Sequence, residues 1–170
     1  MERVVGLGRM VQESDLPSLV YLQAVVKETL RIHPPAPLGI PRASVEDCTV
    51  LGYEIPRGSR LLINSWTIGR DPKLWEDAEN FKPERFMEAG FLDAKVQNFE
   101  WIPFGAGRRG CLGQQLATLV VEFVVAQLLH YLSWRLLNEK KLVMSEKNNG
   151  LTVAKAHELT AVPTSRLSVL

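Results

Sequence analysis

The apolar residues of this chain fall into two long helical patterns, one near each end, separated by short alternating runs. The first begins at Ser14-Asp15-Leu16-Pro17, where capping residues stand ahead of a proline tolerated in a first helical turn. It predicts a helix to Ile32, stopped by Pro34 and Pro35. Leu19, Leu22, Val26 and Leu30 make one apolar face; Val20, Tyr21 and Ala24 make a second, and only Gln23 and Lys27 mark a wet side. Glu28 and Arg31 lie on the second stripe, three positions apart, so they are expected to pair away from water. A buried pair needs a further partner for its remaining hydrogen-bonding groups, and a later arginine is the candidate.

The second pattern has Leu116, Leu119, Val120, Phe123, Val124 and Leu128 at helical spacing, widened by Val121 and Val125. It predicts a helix that is apolar nearly all round and central to the core. Between the two patterns, His33 to Pro41 carries four prolines and must be extended and stiff, suited to lining something. Arg42 follows directly and reads, on local sequence, as a solvated loop arginine. Cys48-Thr-Val-Leu, Tyr53-Glu-Ile and Arg60 to Trp66 are β-type runs broken at Gly52 and Pro56-Arg57-Gly58, predicting a small antiparallel sheet.

Asp71-Pro72 predicts a short helical turn with Leu74 and Trp75 as packing residues, and Phe81 to Phe86 sets a Glu-Arg pair between two aromatics. Residues 87–100 show no period, which in a compact chain points to function or special packing. After Trp134 come Glu139-Lys140-Lys141 and an Asn148-Asn149-Gly150 turn, and Leu151 to Val153 with Leu159 to Val162 predict a last pair of strands. The first twelve residues read as a polar connector.

Composition changes this picture only by exclusion. A length of 170 residues, 46% hydrophobic and 23% charged, suits one globular domain. A net charge of +1 without a basic block argues against nucleic acid. Leu116 to Trp134 contains Glu122, Gln127 and His130, which favours a buried helix over a membrane span. Met1 is followed by Glu-Arg-Val-Val-Gly, with no apolar targeting region. Cys48 and Cys111 are too far apart for a zinc spacing and form no disulfide framework.

The candidate chemistry sits at Trp101 to Gly113, Trp-Ile-Pro-Phe-Gly-Ala-Gly-Arg-Arg-Gly-Cys-Leu-Gly, just ahead of the second helix. Gly105, Gly107 and Gly110 satisfy the dinucleotide fingerprint, but the helix then runs through the distance at which a second strand and its acidic residue are required. That reading fails. Cys111, placed before a helix N-terminus and beside Arg108 and Arg109, suits a metal-bound thiolate instead. The glycines let the loop pass close beneath a flat ligand, and the arginines can hold its acidic groups. One thiolate is too few for zinc or an iron–sulfur cluster, leaving a single axial ligand to haem iron.

On these residues the chain resembles the C-terminal part of a cytochrome P-450, a haem-thiolate monooxygenase. Phe104-Gly-Ala-Gly-Arg-Arg-Gly-Cys-Leu-Gly113 matches every fixed position of that family's F-x-x-G-x-R-x-C-x-G signature. Glu28-Thr-Leu-Arg31 matches its E-x-x-R helix, and Phe81 to Phe86 its P-E-R-F segment. Phrases such as Tyr-Leu-Gln-Ala-Val-Val-Lys-Glu-Thr-Leu-Arg are most similar to plant microsomal members, with Leu112 and Asp77-Ala78 as departures where proline is usual.

The resemblance implies a mainly α fold with a small antiparallel β-sheet, residues 1–170 forming a single incomplete domain on the proximal side of the haem. It implies Cys111 as iron ligand and catalytic electron donor, and Phe104 as the aromatic shielding the thiolate. Gly105 and Gly113 would lie in the haem-binding loop, with Arg109 and Arg42 pairing with propionates. Glu28, Arg31 and Arg85 would form a structural triad, and Pro35, Ala36, Pro37, Leu38, Gly150 and Leu151 would contact substrate. It further implies haem, electrons from NADPH through a flavoprotein reductase, O₂ and a small organic substrate. Relatives of full length sit on the cytosolic face of the endoplasmic reticulum through an N-terminal anchor. That anchor, and the oxygen-activating helix, have no counterpart in these residues, so a truncated, non-catalytic product is the alternative expectation. An O₂-independent haem-thiolate isomerase or dehydratase is a third.

Overall fold

In the computed structural model the first long helix, α2 (Val20–Ile32), runs between two separate apolar clusters, one for each stripe read from its sequence. The structure describes residues 1–87, 99–137 and 142–167; Glu139-Lys140-Lys141 and residues 88–98 of the aperiodic run lie outside them. Leu19 and Leu22 pack with Val5, Val11, Leu16 and Ala126. On the other side Ala24 packs with Trp75, Ala78 and Phe86, against which Trp101 leans. Tyr21, expected inside, is instead exposed and donates its hydroxyl to Glu84 Oε1 at 3.1 Å.

The helix ends at His33, whose N–H bonds to Thr29, just before the prolines. Its start differs from expectation. Glu13–Ser18 is a 3₁₀ helix, and Leu19 at φ −90°, ψ 53° breaks it from α2. Asp15 is not the cap but the third residue of that turn, its carboxylate accepting the Gln12 N–H at 2.8 Å. Arg9's hydrogen bonds, with that N–H, hold the Asp15 carboxyl down at about 2. The freed Leu16 carbonyl accepts both the Leu19 N–H and Gln23 Nε2, so Gln23 bridges the break rather than marking a wet side.

The opening residues are not an idle connector. Glu2–Val5 forms a short helix, α1, and Val5 and Val11 are buried in the first cluster. What holds them explains an inversion in the last helix, α4 (Gln114–Tyr131). Its buried residues are Glu122, Ala126 and His130, whereas Leu116, Val120, Val121, Val124 and Leu128 are exposed. The expected helix central to the core is therefore a helix packed on one side. The strap over that side offers carbonyls that need donors: Gln127 Nε2 bonds to Val11 O at 2.8 Å, and His130 Nε2–H to Arg9 O at 3.0 Å. Gln127 and His130 turn toward the strap because its carbonyls accept from them, while Ala126 packs in the first apolar cluster, with Leu119, Phe123 and Val125 against it.

Glu122 lies near Lys27, and burial outweighs their attraction in both. It pushes the Glu122 carboxyl up and the Lys27 ammonium down. A carboxyl raised on folding favours the folded state fully below its ordinary value of about 4.3 and loses that advantage as pH rises through the folded value. Glu122→Gln in the full-length protein is thus expected to raise the unfolding midpoint at neutral pH and to leave it little changed near pH 4; a lowered neutral midpoint would refute this.

The strands form four separate antiparallel pairs among the described residues, not one sheet. β1 (Arg42–Ala43) pairs with β4 (Arg60–Leu61), and β2 (Cys48–Val50) with β3 (Tyr53–Ile55). The run expected to continue to Trp66 stops early. Asn64 accepts the Thr67 N–H and caps a short helix, α3 (Ser65–Ile68). After Asp71-Pro72, Trp75 is buried as expected and Leu74 is exposed.

The apolar run after Cys111 leaves its helix at Tyr131. β5 (Leu132–Leu136) pairs with β8 (Ala161–Ser165), Trp134 standing opposite Pro163. β6 (Glu146–Asn149) pairs with β7 (Thr152–Lys155) around the Gly150-Leu151 turn. The last two apolar runs therefore find different partners rather than each other, because the Asn149-Gly150 turn returns the chain immediately onto its own preceding residues.

Candidate functional site

The site is built outward from one buried carboxylate. Glu28 and Arg31 are 0% and 2% exposed. Arg31 Nε donates to Glu28 Oε2 at 2.7 Å and Nη2 to Oε1 at 2.8 Å, the two-pronged geometry of guanidinium on carboxylate. The further partner is Arg85, in the 3₁₀ turn Pro83–Phe86, whose Nε reaches Glu28 Oε1 at 3.2 Å; the Lys82 N–H reaches the same oxygen at 2.7 Å. Burial pushes the Glu28 carboxyl up, but the hydrogen bonds of Arg31 and Lys82 and the charges of Arg31 and Arg85 outweigh it and leave it below its ordinary value.

Arg31's remaining donors go to backbone: the carbonyls of Gly69, Ala78 (2.8 Å) and Asn80 (3.2 Å). Gly69 is required here, since a Cβ at that position would stand 2.6 Å from Arg31 O. These carbonyls go unnoticed in the sequence, and Trp75 reads there only as a packing residue; nothing in the residue types signals that they serve an arginine far away.

From this centre a line of aromatic rings leads to the cysteine. Trp75 lies under both the Arg31 and Arg85 guanidinium groups, 5.2 and 5.8 Å from its centroid. Phe86 is 5.7 Å from Trp75 and 6.1 Å from Trp101, and Trp101 is 6.5 Å from Phe104 in an edge-on contact. Trp101 Nε1 donates to Lys27 O at 3.1 Å, fixing the line to α2. Phe104 O then accepts the Cys111 N–H at 2.9 Å, closing the loop that presents the thiol.

Gly105 and Gly107, at φ 74° and 68°, give that loop its left-handed corners. Cys111 stands three residues before α4, exposed and free, with Leu112 fully exposed beside it. Arg42, half-buried on β1, donates through Nη2 to Arg109 O at 2.7 Å. The local reading of Arg42 as a solvated loop arginine is thereby corrected: strand pairing with Leu61 turns it onto the cysteine loop. Arg108 and Arg109 are exposed.

The proline segment forms a second group, separate in hydrogen bonding from the Cys111 loop among the described residues. It is not extended throughout as expected: the Gly39 N–H bonds to Ala36 O at 2.9 Å and Gly39 takes φ 60°, which turns the chain. With few N–H groups it is held to its neighbours by its carbonyls: Pro35 O accepts the Val153 N–H at 2.9 Å, and Pro37 O accepts Ser65 Oγ at 2.9 Å and the Trp66 N–H at 3.2 Å. Pro35 and Leu38 are exposed, as are Gly150 and Leu151 at the hairpin tip.

These residues fit a haem. One exposed thiol supplies a single axial donor, and among the described residues no cluster of three His, Cys, Asp or Glu could hold a metal alone. Small residues leave space over the loop: a Cβ on Gly113 would stand 3.9 Å from Cys111 Sγ, and one on Gly105 3.7 Å from Arg42 Nη2. Arg42 brings one positive group against the loop, its Nη2 on Arg109 O and beside Gly105, and Arg109 itself is exposed. Among the described residues no helix is long and apolar enough to cross a membrane.

A family model for cytochrome P-450 matches residues 1–161. The chain is 49% identical over 168 residues to geraniol 8-hydroxylase of Catharanthus roseus, covering 97% of this chain and 34% of that protein. It is 43% identical over 169 residues to flavonoid 3',5'-hydroxylase of Campanula medium, covering 98% and 32%. Among solved structures, a zebra fish cytochrome P-450 with abiraterone superposes with a TM-score of 0.84 at 33% identity, covering 97% of this chain and 38% of that one. The chain spans about a third of the length of the curated relatives it matches.

Proposed function

The chain belongs to the cytochrome P-450 family, and on that premise we propose that it is the haem-holding portion of a monooxygenase that hydroxylates a small apolar or phenolic substrate. The observation that carries this reading is the exposed Cys111 thiol on a loop anchored to Phe104 O, with Arg42 fixed against the same loop. Haem held there would supply iron for O₂ activation, with electron density from the Cys111 thiolate.

In this reading the chain's own residues hold the group and shape its surroundings. Cys111 gives the thiolate. Phe104 would limit water at the sulfur, and Gly105 and Gly113 would leave room for the group. Arg42 and Arg109 would pair with its acidic groups, and Glu28, Arg31 and Arg85 hold the wall behind the loop. Pro35, Ala36, Pro37, Leu38, Gly150 and Leu151 offer a stiff, apolar rim to substrate. Electrons reach the site from NADPH through a flavoprotein reductase, at the cytosolic face of the endoplasmic reticulum. The substrate class is supported by relatives named for a monoterpene alcohol and for flavonoids.

The test uses the full-length protein. Reduced and treated with carbon monoxide, it is expected to show the absorption of thiolate-ligated haem and, with reductase, NADPH and labelled O₂, to place one labelled oxygen atom in a member of a monoterpene-alcohol and flavonoid panel. Absence of the thiolate-type band overturns the reading. A second reading, that residues 1–170 alone do not turn over, is favoured by the open apolar side of α4 at Leu116, Val120, Val124 and Leu128. Hydroxylation by purified 1–170 with reductase would sink it.

A further inference from the structure

A two-stranded hairpin is marginal by itself. β6 is exposed along its whole length, and its register with β7 runs from Glu146 opposite Lys155 to Asn149 opposite Thr152. Something else must hold this hairpin where it lies. One tie is the Val153 N–H on Pro35 O. The other lies at the base of the hairpin: His33 Nδ1 stands 2.5 Å from Glu146 Oε1, the side chains about a third exposed. A carboxylate can only accept, so Nδ1 carries the proton and donates it.

His33 is the residue that ends α2, immediately before the proline segment. Thr29 and Pro34 with Met144, Val153, Ala154 and Lys155 line an open cleft of about 170 Å³ beside the pair. The side-chain tie and the backbone tie act on the two strands of one hairpin and on adjacent stretches of one stiff segment. Together they fix an axis rather than a point. Without the first, the hairpin can pivot about the Val153 N–H, and its tip, Gly150-Leu151, swings relative to Pro35–Leu38.

We propose that His33 and Glu146 are positioning residues, a latch that sets the Gly150-Leu151 tip against the proline segment and so tunes which ligand shapes the site accepts. The proposal rests on the reading of those two segments as the substrate rim. Neither residue touches the reacting atoms; both act through the hairpin. The pair draws its effect from geometry: α2 carries the buried Glu28–Arg31–Arg85 centre, so the latch ties an exposed hairpin to the end of a helix anchored in the interior.

The experiment compares full-length, haem-loaded wild type with His33→Phe, Glu146→Ala, the double variant and His33→Gln, whose amide can still donate to Glu146. Hydrogen exchange is read at the Val153 amide and the 149–152 turn. Both single variants are expected to exchange about tenfold faster, the double variant no faster than either, and His33→Gln close to wild type. Equilibrium binding is read with two iron-ligating probes, imidazole and 4-phenylimidazole. The latch variants are expected to change the affinity ratio of the two probes at least fivefold while leaving imidazole within twofold, with His33→Gln restoring the ratio.

Unchanged exchange in both single variants, or additive effects in the double, overturns the latch. Changed exchange with an unchanged affinity ratio overturns its role in selection. A wild type that lacks the thiolate-type band overturns the site reading instead, and the exchange measurements still decide whether the latch exists. Should His33→Phe fail to load haem, Glu146→Ala against His33→Gln carries the same comparison.

Discussion

Arg31→Ala is expected to destabilise the full-length protein by about 3–5 kcal/mol, a large part of a typical folded domain's margin. The side chain is fully buried and every donor is engaged: two go to Glu28 and the rest to the carbonyls of Gly69, Ala78 and Asn80. Truncation leaves the buried Gly69 and Ala78 carbonyls without their donor, and leaves Glu28 with Arg85 and the Lys82 N–H. Arg31→Lys recovers only part, because one ammonium cannot serve a two-oxygen carboxylate and three carbonyls. Denaturant midpoints of holoprotein measure the loss, and a midpoint within about 1 kcal/mol of wild type would refute the assignment.

The same centre makes an acid-side prediction with a definite sign. Glu28 is held below its ordinary value, so its contribution is present above the unfolded value of about 4.3 and is lost as pH falls through the folded value. Wild type therefore loses stability below about pH 4 through this group, and Arg31→Ala, already deprived of the main partner, loses less in the same window. Arg31 also explains why the effect should reach the cysteine. Its guanidinium lies over Trp75, from which the rings of Phe86, Trp101 and Phe104 lead to the carbonyl that fixes the Cys111 N–H.

What the sequence made legible follows from range. The buried Glu28–Arg31 pair could be read because both residues lie on one helix, and helical spacing turns sequence distance directly into a shared face. The need for a third partner could also be read, from the cost of an unsatisfied buried charge; that Arg85 fills it could be inferred only by resemblance until its Nε was seen on Glu28. The burial of α4 could not be read correctly. Apolar spacing marks which positions are able to enter a core, whereas the side that did enter pairs Ala126, Leu119, Phe123 and Val125 with donors for the Arg9 and Val11 carbonyls. The partners of the late strands were hidden for a related reason: pairing depends on where turns return the chain, and β8 finds β5 across a long separation. Arg42 is the clearest case. Its neighbours say solvent, and only the pairing of β1 with β4 directs it to Arg109.

Cys111→Ala in the full-length protein is expected to abolish the thiolate-type absorption of the reduced, carbon monoxide-treated holoenzyme and with it NADPH-dependent turnover. Cys48→Ala is expected to change neither. Both cysteines are free and exposed, so exposure alone does not choose between them. What chooses is the backbone. Cys48 sits in a two-stranded ladder opposite Ile55, its side chain one of an exposed run with no loop around it. Cys111 is held by its own N–H on Phe104 O, at the mouth of a loop cornered by Gly105 and Gly107 and crossed by Arg42. Cys111→Ser separates the two roles of the residue. Its hydroxyl preserves the loop's shape and the backbone hydrogen bond but is a poor donor of electron density, so haem content should survive better than the thiolate-type band. If Cys111→Ala kept that band at wild-type intensity, or if Cys48→Ala removed it, the ligand would not be Cys111, and the loop would be a glycine-rich turn before a helix and nothing more.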